Sequence, residues 1–277
     1  MLETRNQGAW HGRIELGFDR RADRTVLSRR RFQGPLMVQK PFYPEGDPCH
    51  VYLLHPPAGV VGGDVLEVIA AVETGAHALI TTPASGKFYR STGKLAQQIQ
   101  RFTVAANGVL EWLPQDTILF DGCNALLESR VELAENARFI GWEISCLGRP
   151  ASGEGFRAGC SRQTLELYRS GRPLMIERAK FQGDHPLLDA RWGMSGYSVS
   201  GVMVATNADE KILRSVRSAV SADNEALTGM TLLDEVLVCC YLGRQGERAR
   251  HWFEEIWRVI RPLLLSREAS APRIWRT

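Results

Sequence analysis

The chain lacks an apolar run that could cross a bilayer. Its longest, VLVCCYLG at 236–243 and LLL at 263–265, fall far short of the ~20 residues a spanning helix needs. The opening MLETRNQGAWHGRIELGF has no basic start followed by an apolar stretch and a small-residue cleavage site, so a cytoplasmic location is expected. Cysteine is thinly scattered: Cys49, Cys123, Cys146, Cys160, Cys239 and Cys240 form no CxxC, which argues against a disulfide framework and for reduced, buried thiols. Charge imbalance is missing as well. A net charge of +3 is too mild for a dedicated nucleic-acid binder. The one basic cluster, DRRADRTVLSRRR at 19–31, contains Arg20, Arg21, Arg24 and Arg29 to Arg31 and reads as a solvated strand face diluted by Asp19 and Asp23, with a phosphate or acidic-partner patch as the alternative.

The nucleotide signatures are also missing. In HPPAGVVGGD (55–64) the glycines are spaced GxxGG and run into a β-branched strand, so no helix N-terminus is offered to a phosphate. TTPASGKF has Thr81 where a Walker motif needs glycine and Phe88 after Lys87. Ser85 lies in PASGK and not in GxSxG. Cys49, His50, His55 and Asp64 are close in sequence and of types that Zn²⁺ or Ni²⁺ accepts, but strand alternation sends Cys49 and His55 to one face and His50 to the other. Packed histidines remain the competing reading.

What is present is β structure. GDVLEVIAAVETGAHALITT (63–82) has two apolar runs around Glu-Thr-Gly-Ala and reads as a hairpin. Further breaks fall at Asn107-Gly108, Asp121-Gly122 and Glu135-Asn136, roughly 14 residues apart, and another at Ser170-Gly171. The expected fold class is mainly β: a stacked, helix-like β-sheet fold with two α-helices in the C-terminal region, and the open alternative is a layered sandwich. One domain, 1–277, is expected, β-rich over about 10–205 and helical over about 208–266. The first helix has Ile212, Leu213, Val216, Ala219 and Val220 at helical spacing, with Asn207 and Glu210 as a capping box. The second has Ala249, Trp252, Phe253, Ile256, Ile260 and Leu263, interrupted or kinked at Pro262. GRPASGEGFRAG (148–159) reads as an exposed loop. Carboxylates at Asp64, Glu143 and Glu177 interrupt apolar strands; each either faces solvent by alternation or is buried with a task.

Several long segments, in order, resemble one family. QKPFYPEGDPCHVYLLHPPAGVVGGD, GAHALITTPASGKFYRS, LEWLPQDTILFDG, RFIGWEISCLGRPASGE, RPLMIER and the C-terminal PRIWRT are similar to segments of the urease accessory protein family UreD, called UreH in some organisms. The resemblance runs from about Gln39 to Thr277, with Ala58 standing where the family pattern reads HPPGG, a loss of backbone freedom. It implies a stacked, helix-like β fold and an assembly factor, not an enzyme, that docks on apo-urease and recruits UreF and the GTPase UreG. It implies delivery of Ni²⁺ through an internal water-filled passage, no tightly bound cofactor, and GTP used only by UreG. Such a passage needs weak, spaced oxygen ligands, which selects Asp64, Thr82, Ser85, Glu143 and Glu177 in the family motifs. Lys87, Tyr89 and Arg90 read as structural, with Arg90 pairing a buried carboxylate and Tyr89 hydrogen-bonded in the core, or else as docking residues. Trp252, Phe253 and Trp257 broaden the apolar arc of the second helix, and either contact a partner or fill the core. An uncharacterised hydrolase or thiol enzyme on a β scaffold is the alternative function.

Overall fold

A computed structural model describes residues 9–57 and 59–276; Ala58, and with it the expected cost of its missing glycine, lies outside the described residues. In chain order the first strands are β1 (His11–Arg21), β2 (Arg24–Gln33), β3 (Met37–Val38), β4 (Cys49–Leu54), β5 (Val65–Val72), β6 (His77–Thr81), β7 (Gly86–Phe88) and β8 (Ala96–Val104). They are followed by β9 (Val109–Trp112), β10 (Thr117–Leu119), β11 (Asn124–Leu133), β12 (Arg138–Leu147), β13 (Cys160–Arg169), β14 (Arg172–Gln182) and β15 (Val199–Ala205). Helix α1 (Glu210–Ala219), strands β16 (Leu227–Leu233) and β17 (Val236–Gly243) and helix α2 (Gly246–Leu265) complete the chain.

The strands form two stacked sheets. One runs β14-β13-β11-β8-β5-β1-β2 and the other β16-β17-β15-β12-β9-β6-β4-β3. The chain alternates between them, and each coil lies on the one before: Val65 pairs with Gln97 and Gln97 with Leu126 in the first sheet, while His77 pairs with Val109 and Val109 with Arg138 in the second, all in parallel. A return after about 30 residues is a solenoid period. The mainly β, helix-like stacking expected from the sequence is therefore the fold observed.

Three equivalent corners make the coil. At residues 73–76, 105–108 and 134–137 the fourth N–H donates to the first carbonyl, and the third residue, Gly75, Asn107 or Asn136, has positive φ. Glycine and asparagine are the residues that enter this region at low cost. The corners also bond to one another, Gly75 N–H to Ala106 O and Asn107 N–H to Glu135 O. The hairpin expected at 63–82 is thus corrected: β5 and β6 lie in different sheets and each pairs with the next coil. Turn chemistry is local, and the same residues serve a corner or a hairpin. Ser170-Gly171 does join an antiparallel pair, β13 and β14, with both residues at positive φ.

The region 208–266 is not wholly helical, because β16 and β17 form an antiparallel hairpin within it and extend the second sheet. The N-cap of α1 is Asp209, whose carboxylate accepts from Ile212 N–H at 2.9 Å. Asn207 has φ 61° and cannot take the extended conformation of a cap; its amide oxygen instead accepts from Arg169 at 3.0 Å. Helix α2 continues through Pro262 and stops at Ser266, a left-handed C-cap. No helix among the described residues is long and apolar enough to cross a membrane.

Two cores result. One fills the space between the sheets with Ile14, Phe18, Val68, Phe88, Phe102 and Leu167. The other packs α1 and α2 on the outer face of the second sheet through Trp142, Met203, Tyr241, Trp252, Phe253 and Trp257. The tail joins this second core. Trp275 packs against Trp142 and Trp257, and its indole N–H donates to Thr81 Oγ at 2.8 Å. Trp252, Phe253 and Trp257 are at most 3% exposed. They are corrected from candidate partner contacts to core residues, since the sheet beneath α2 covers this part of its apolar arc, whereas Leu263, expected in the same stripe, is 47% exposed.

A buried ionic cluster ties these parts together. Arg261 of α2, fully buried, donates to both oxygens of Glu111 on β9 at 3.1 Å and to Glu45 at 2.7 and 2.9 Å, and also to the main-chain oxygen of Glu268 in the tail. Glu111 further accepts from Trp257 at 2.6 Å and lies 2.6 Å from His77, while Glu45 lies 2.7 Å from His50. Burial would raise the Glu111 carboxyl, but the His77 hydrogen bond and the Arg261 charge together hold it at about 2. Arg261→Met is expected to destabilise the protein by about 3–5 kcal/mol, because it leaves the buried Glu111 and the partly buried Glu45 without their cation. Urea unfolding checks this, with Arg90→Met, which removes an exposed ion pair, expected to change stability by under about 1 kcal/mol.

Candidate functional site

Between the sheets the apolar core gives way to polar side chains along one row. Strand pairing aligns Val68, Gln100, Ser129, Leu165 and Glu177 across the first sheet. Alternation turns the side chains of this row inward, toward β12 of the second sheet. There, Glu143 and Ser145 face them. Ser129 Oγ–H donates to Glu143 and lies 3.2 Å from Gln100 Oε1, while Ser145 and Gln163 bond at 2.9 to 3.1 Å.

These groups border a cavity of about 230 Å³, whose wall includes His55, Thr82, Ser85, Lys87, Gln98, Gln100, Ser129, Glu143 and Ser145 on its polar side and Leu36, Leu53, Val60 and Val68 on its apolar side. A much smaller void, lined in part by Phe139, Leu165 and Val204, shares Trp112, Ser129 and Glu143 with it. Glu143 thus stands at the neck between the two. The Trp112 indole N–H has no partner among the described residues. A buried donor of this kind beside a polar void is suited to bound water.

Glu143 has no cationic partner among the described residues. Burial pushes its carboxyl up to about 7, the Ser129 hydrogen bond opposes this, and the nearby Glu177 charge adds to the rise. Burial also raises Glu177; partial desolvation of the thiol together with the Glu177 charge raises Cys240, a residue that is exposed overall. Glu177 therefore lies within electrostatic reach of both Glu143 and Cys240. This is the side of the molecule where β14 and β16 end the two sheets.

The structure brings together three of the five residues selected from the sequence. Thr82, Ser85 and Glu143 share the cavity wall, and Glu177 pairs in register with Leu165 of the smaller void, close enough for its charge to act on Glu143. The Thr82 hydroxyl accepts from Gln115 N–H at 2.9 Å, and the Ser85 hydroxyl donates to Asp116 Oδ1 at 2.6 Å. Asp64 stands apart from the wall. Its two carboxylate oxygens accept from Trp10 N–H at 2.8 Å and Val61 N–H at 3.0 Å, so it closes the turn of HPPAGVVGGD onto the start of β1. The glycines of that loop serve close packing: a Cβ on Gly59 would lie 2.1 Å from the Tyr89 ring, and one on Gly62 would lie 2.4 Å from Ser91 Oγ.

Lys87 borders the cavity, Tyr89 packs edge-on against Phe120, and Arg90 is exposed and reaches Asp121 at 3.3 Å. Tyr89 thus contributes its ring where a core hydrogen bond was expected, and Arg90, itself exposed, meets the largely buried carboxylate of Asp121. Cys49 and His50 are both buried, and no three His, Cys, Asp or Glu side chains are grouped to hold a metal ion among the described residues. Sequence reasoning missed Gln98, Gln100, Ser129 and Ser145. Their signal was parity: in AQQIQRFTV the glutamines 98 and 100 share the inward side with Ala96, Phe102 and Val104.

Hydroxyls, amide oxygens and a single carboxyl are weak, hard donors. Donors of this kind hold a divalent cation weakly and exchangeably. The fold and the cavity define a β-solenoid with a polar interior, backed by a helical layer. The sequence profile of the UreD urease accessory protein matches residues 11–276. Relatives named urease accessory protein UreD from Dechloromonas aromatica (45% identical over 275 residues), Citrobacter koseri (44% over 270) and Methylobacillus flagellatus (44% over 271) each align with 97% of this chain and with 95%, 92% and 95% of their own lengths. The chain belongs to the UreD urease accessory protein family.

The Glu143 carboxyl has a pH signature. Its folded value lies above that of an unfolded glutamate, so the folded state holds the proton more tightly and loses stability as pH rises from about 4.5 to about 7. Glu143→Gln is expected to exceed the native protein in stability at pH 8, by up to about 3 kcal/mol, and the difference should vanish near pH 4.5. Melting curves across that range measure it.

Proposed function

We propose that this chain serves urease maturation as a conduit and scaffold with no chemistry of its own. Ni²⁺ passes between its sheets, past Thr82, Ser85 and Gln100, through the Glu143–Ser129 neck toward Glu177, on its way to apo-urease. UreF and the GTPase UreG assemble with it, GTP is used by UreG alone, and no cofactor is held tightly. The observation that supports this reading best is the lone carboxyl of Glu143 at the neck of a polar internal cavity, without a cation to satisfy it. A cation entering the neck supplies the missing charge. The hydroxyls and amides around it offer exchangeable ligands weak enough to release it. Family membership supplies the urease context.

The test is urease activity and nickel content in cells carrying the cognate urease and accessory genes. Glu143→Gln combined with Glu177→Gln is expected to lower nickel per urease several-fold while the accessory complex still co-purifies. Full nickel loading by the double variant would overturn the conduit. Loading unchanged when the chain is absent altogether would overturn the maturation role as well.

A further inference from the structure

The terminal strand of the seven-stranded sheet carries chemistry that the cavity does not use. β2 pairs with β1 on one side only. Its first residues are covered on the other side, where Thr25 N–H donates to Asp47 and the Cys49 thiol meets the Leu27 main chain. Over residues 28–33 the main chain facing away from β1 has no hydrogen-bond partner among the described residues, and all six side chains are exposed.

Register places the arginines on both faces. Arg29 and Arg31 oppose Gly17 and Glu15 on the outer face, whereas Arg30 and Phe32 oppose the inward core residues Leu16 and Ile14. None of Arg29, Arg30 and Arg31 makes an ion pair among the described residues. Glu15, opposite Arg31, is already bound by Arg13 at 2.8 Å and feels Arg31 and Arg29 only through their charge. Phe32 is 56% exposed beside them. β16, at the far end of the other sheet, has no charged residue in LTGMTLL. Three adjacent, unpaired guanidinium groups repel one another, and an anionic partner would remove that cost.

We propose that residues 28–33 of β2 are a docking strand for an extended acidic segment of a partner protein. The segment adds to the sheet by main-chain pairing, with carboxylates opposite the three arginines and an apolar residue against Phe32. A polypeptide strand matches the free edge because it alone offers alternating N–H and C=O groups. Nucleic acid satisfies the charges but leaves that ladder unpaired, and the strip presents one aromatic ring for base stacking. The proposal is independent of the nickel passage, since none of these six residues borders the cavity.

The test uses the full chain and a fluorescein-labelled peptide with Glu at the three consecutive positions opposite Arg29 to Arg31 and Val opposite Phe32, followed by anisotropy. Saturable binding that weakens with salt is expected, and Arg29→Gln with Arg31→Gln should reduce affinity by about fivefold to tenfold. The same peptide N-methylated at every amide keeps its charge but donates no main-chain hydrogen bond, and is expected not to bind; this arm needs no variant to fold. Equal binding of the methylated peptide would show charge attraction alone and overturn the docking strand. So would tighter binding of a thymidine oligonucleotide or of anionic phospholipid vesicles, or the absence of saturable peptide binding.

Discussion

The contact between Arg261 and its two carboxylates holds the architecture together. A fully buried guanidinium is tolerable only with its charge answered nearby, and here the answer comes from β9 and from the loop before β4, segments distant in sequence. The same cation holds the Glu268 carbonyl, so the helical layer, the solenoid wall and the C-terminal tail meet at one point. His77 and His50 complete the cluster from two neighbouring parallel strands. His50, which resembled a metal ligand in the sequence, is thereby spent on a carboxylate.

With the helical layer fixed on the outer face of one sheet, the interior is free to be imperfectly apolar. Solenoid coils stack like on like, so a polar residue at an inward position lies beside its counterpart on the next coil. Gln100 and Ser129 are such neighbours. The row they form would be costly in a dry core, and it is tolerated because the groups bond to one another and border open space. Glu143 is the exception, answered among the described residues only by a hydroxyl. That imbalance separates the cavity from the Arg261 cluster, where every charge has its partner.

Much of the fold was legible in the sequence because corner chemistry and strand alternation are local. Gly75, Asn107 and Asn136 announced turns, and each turn exists. That they are corners and not hairpins depends on which strand each neighbour pairs with, a question decided between coils. Helical spacing located α1 and α2, but the apolar arc of α2 could not reveal whether a sheet or a partner covered Trp257. The hairpin β16–β17 lay hidden between two helices, where VLVCCYLG alone has no periodicity to separate a buried strand from a helix.

For the site, residue type was readable and placement was not. Thr82, Ser85, Glu143 and Glu177 were selected as oxygen donors in family motifs, and the structure puts the first three on one wall. Asp64 belonged to the same class by chemistry, yet its oxygens close a turn. The sequence by itself determined the β-rich class, the turn positions, the two amphipathic helices and the membership that its motifs carry, all of which follow from short-range patterns. Only the tertiary structure decided which carboxylates are paired and which is left alone, because pairing requires residues such as Glu45, Glu111 and Arg261 to meet across distant parts of the chain.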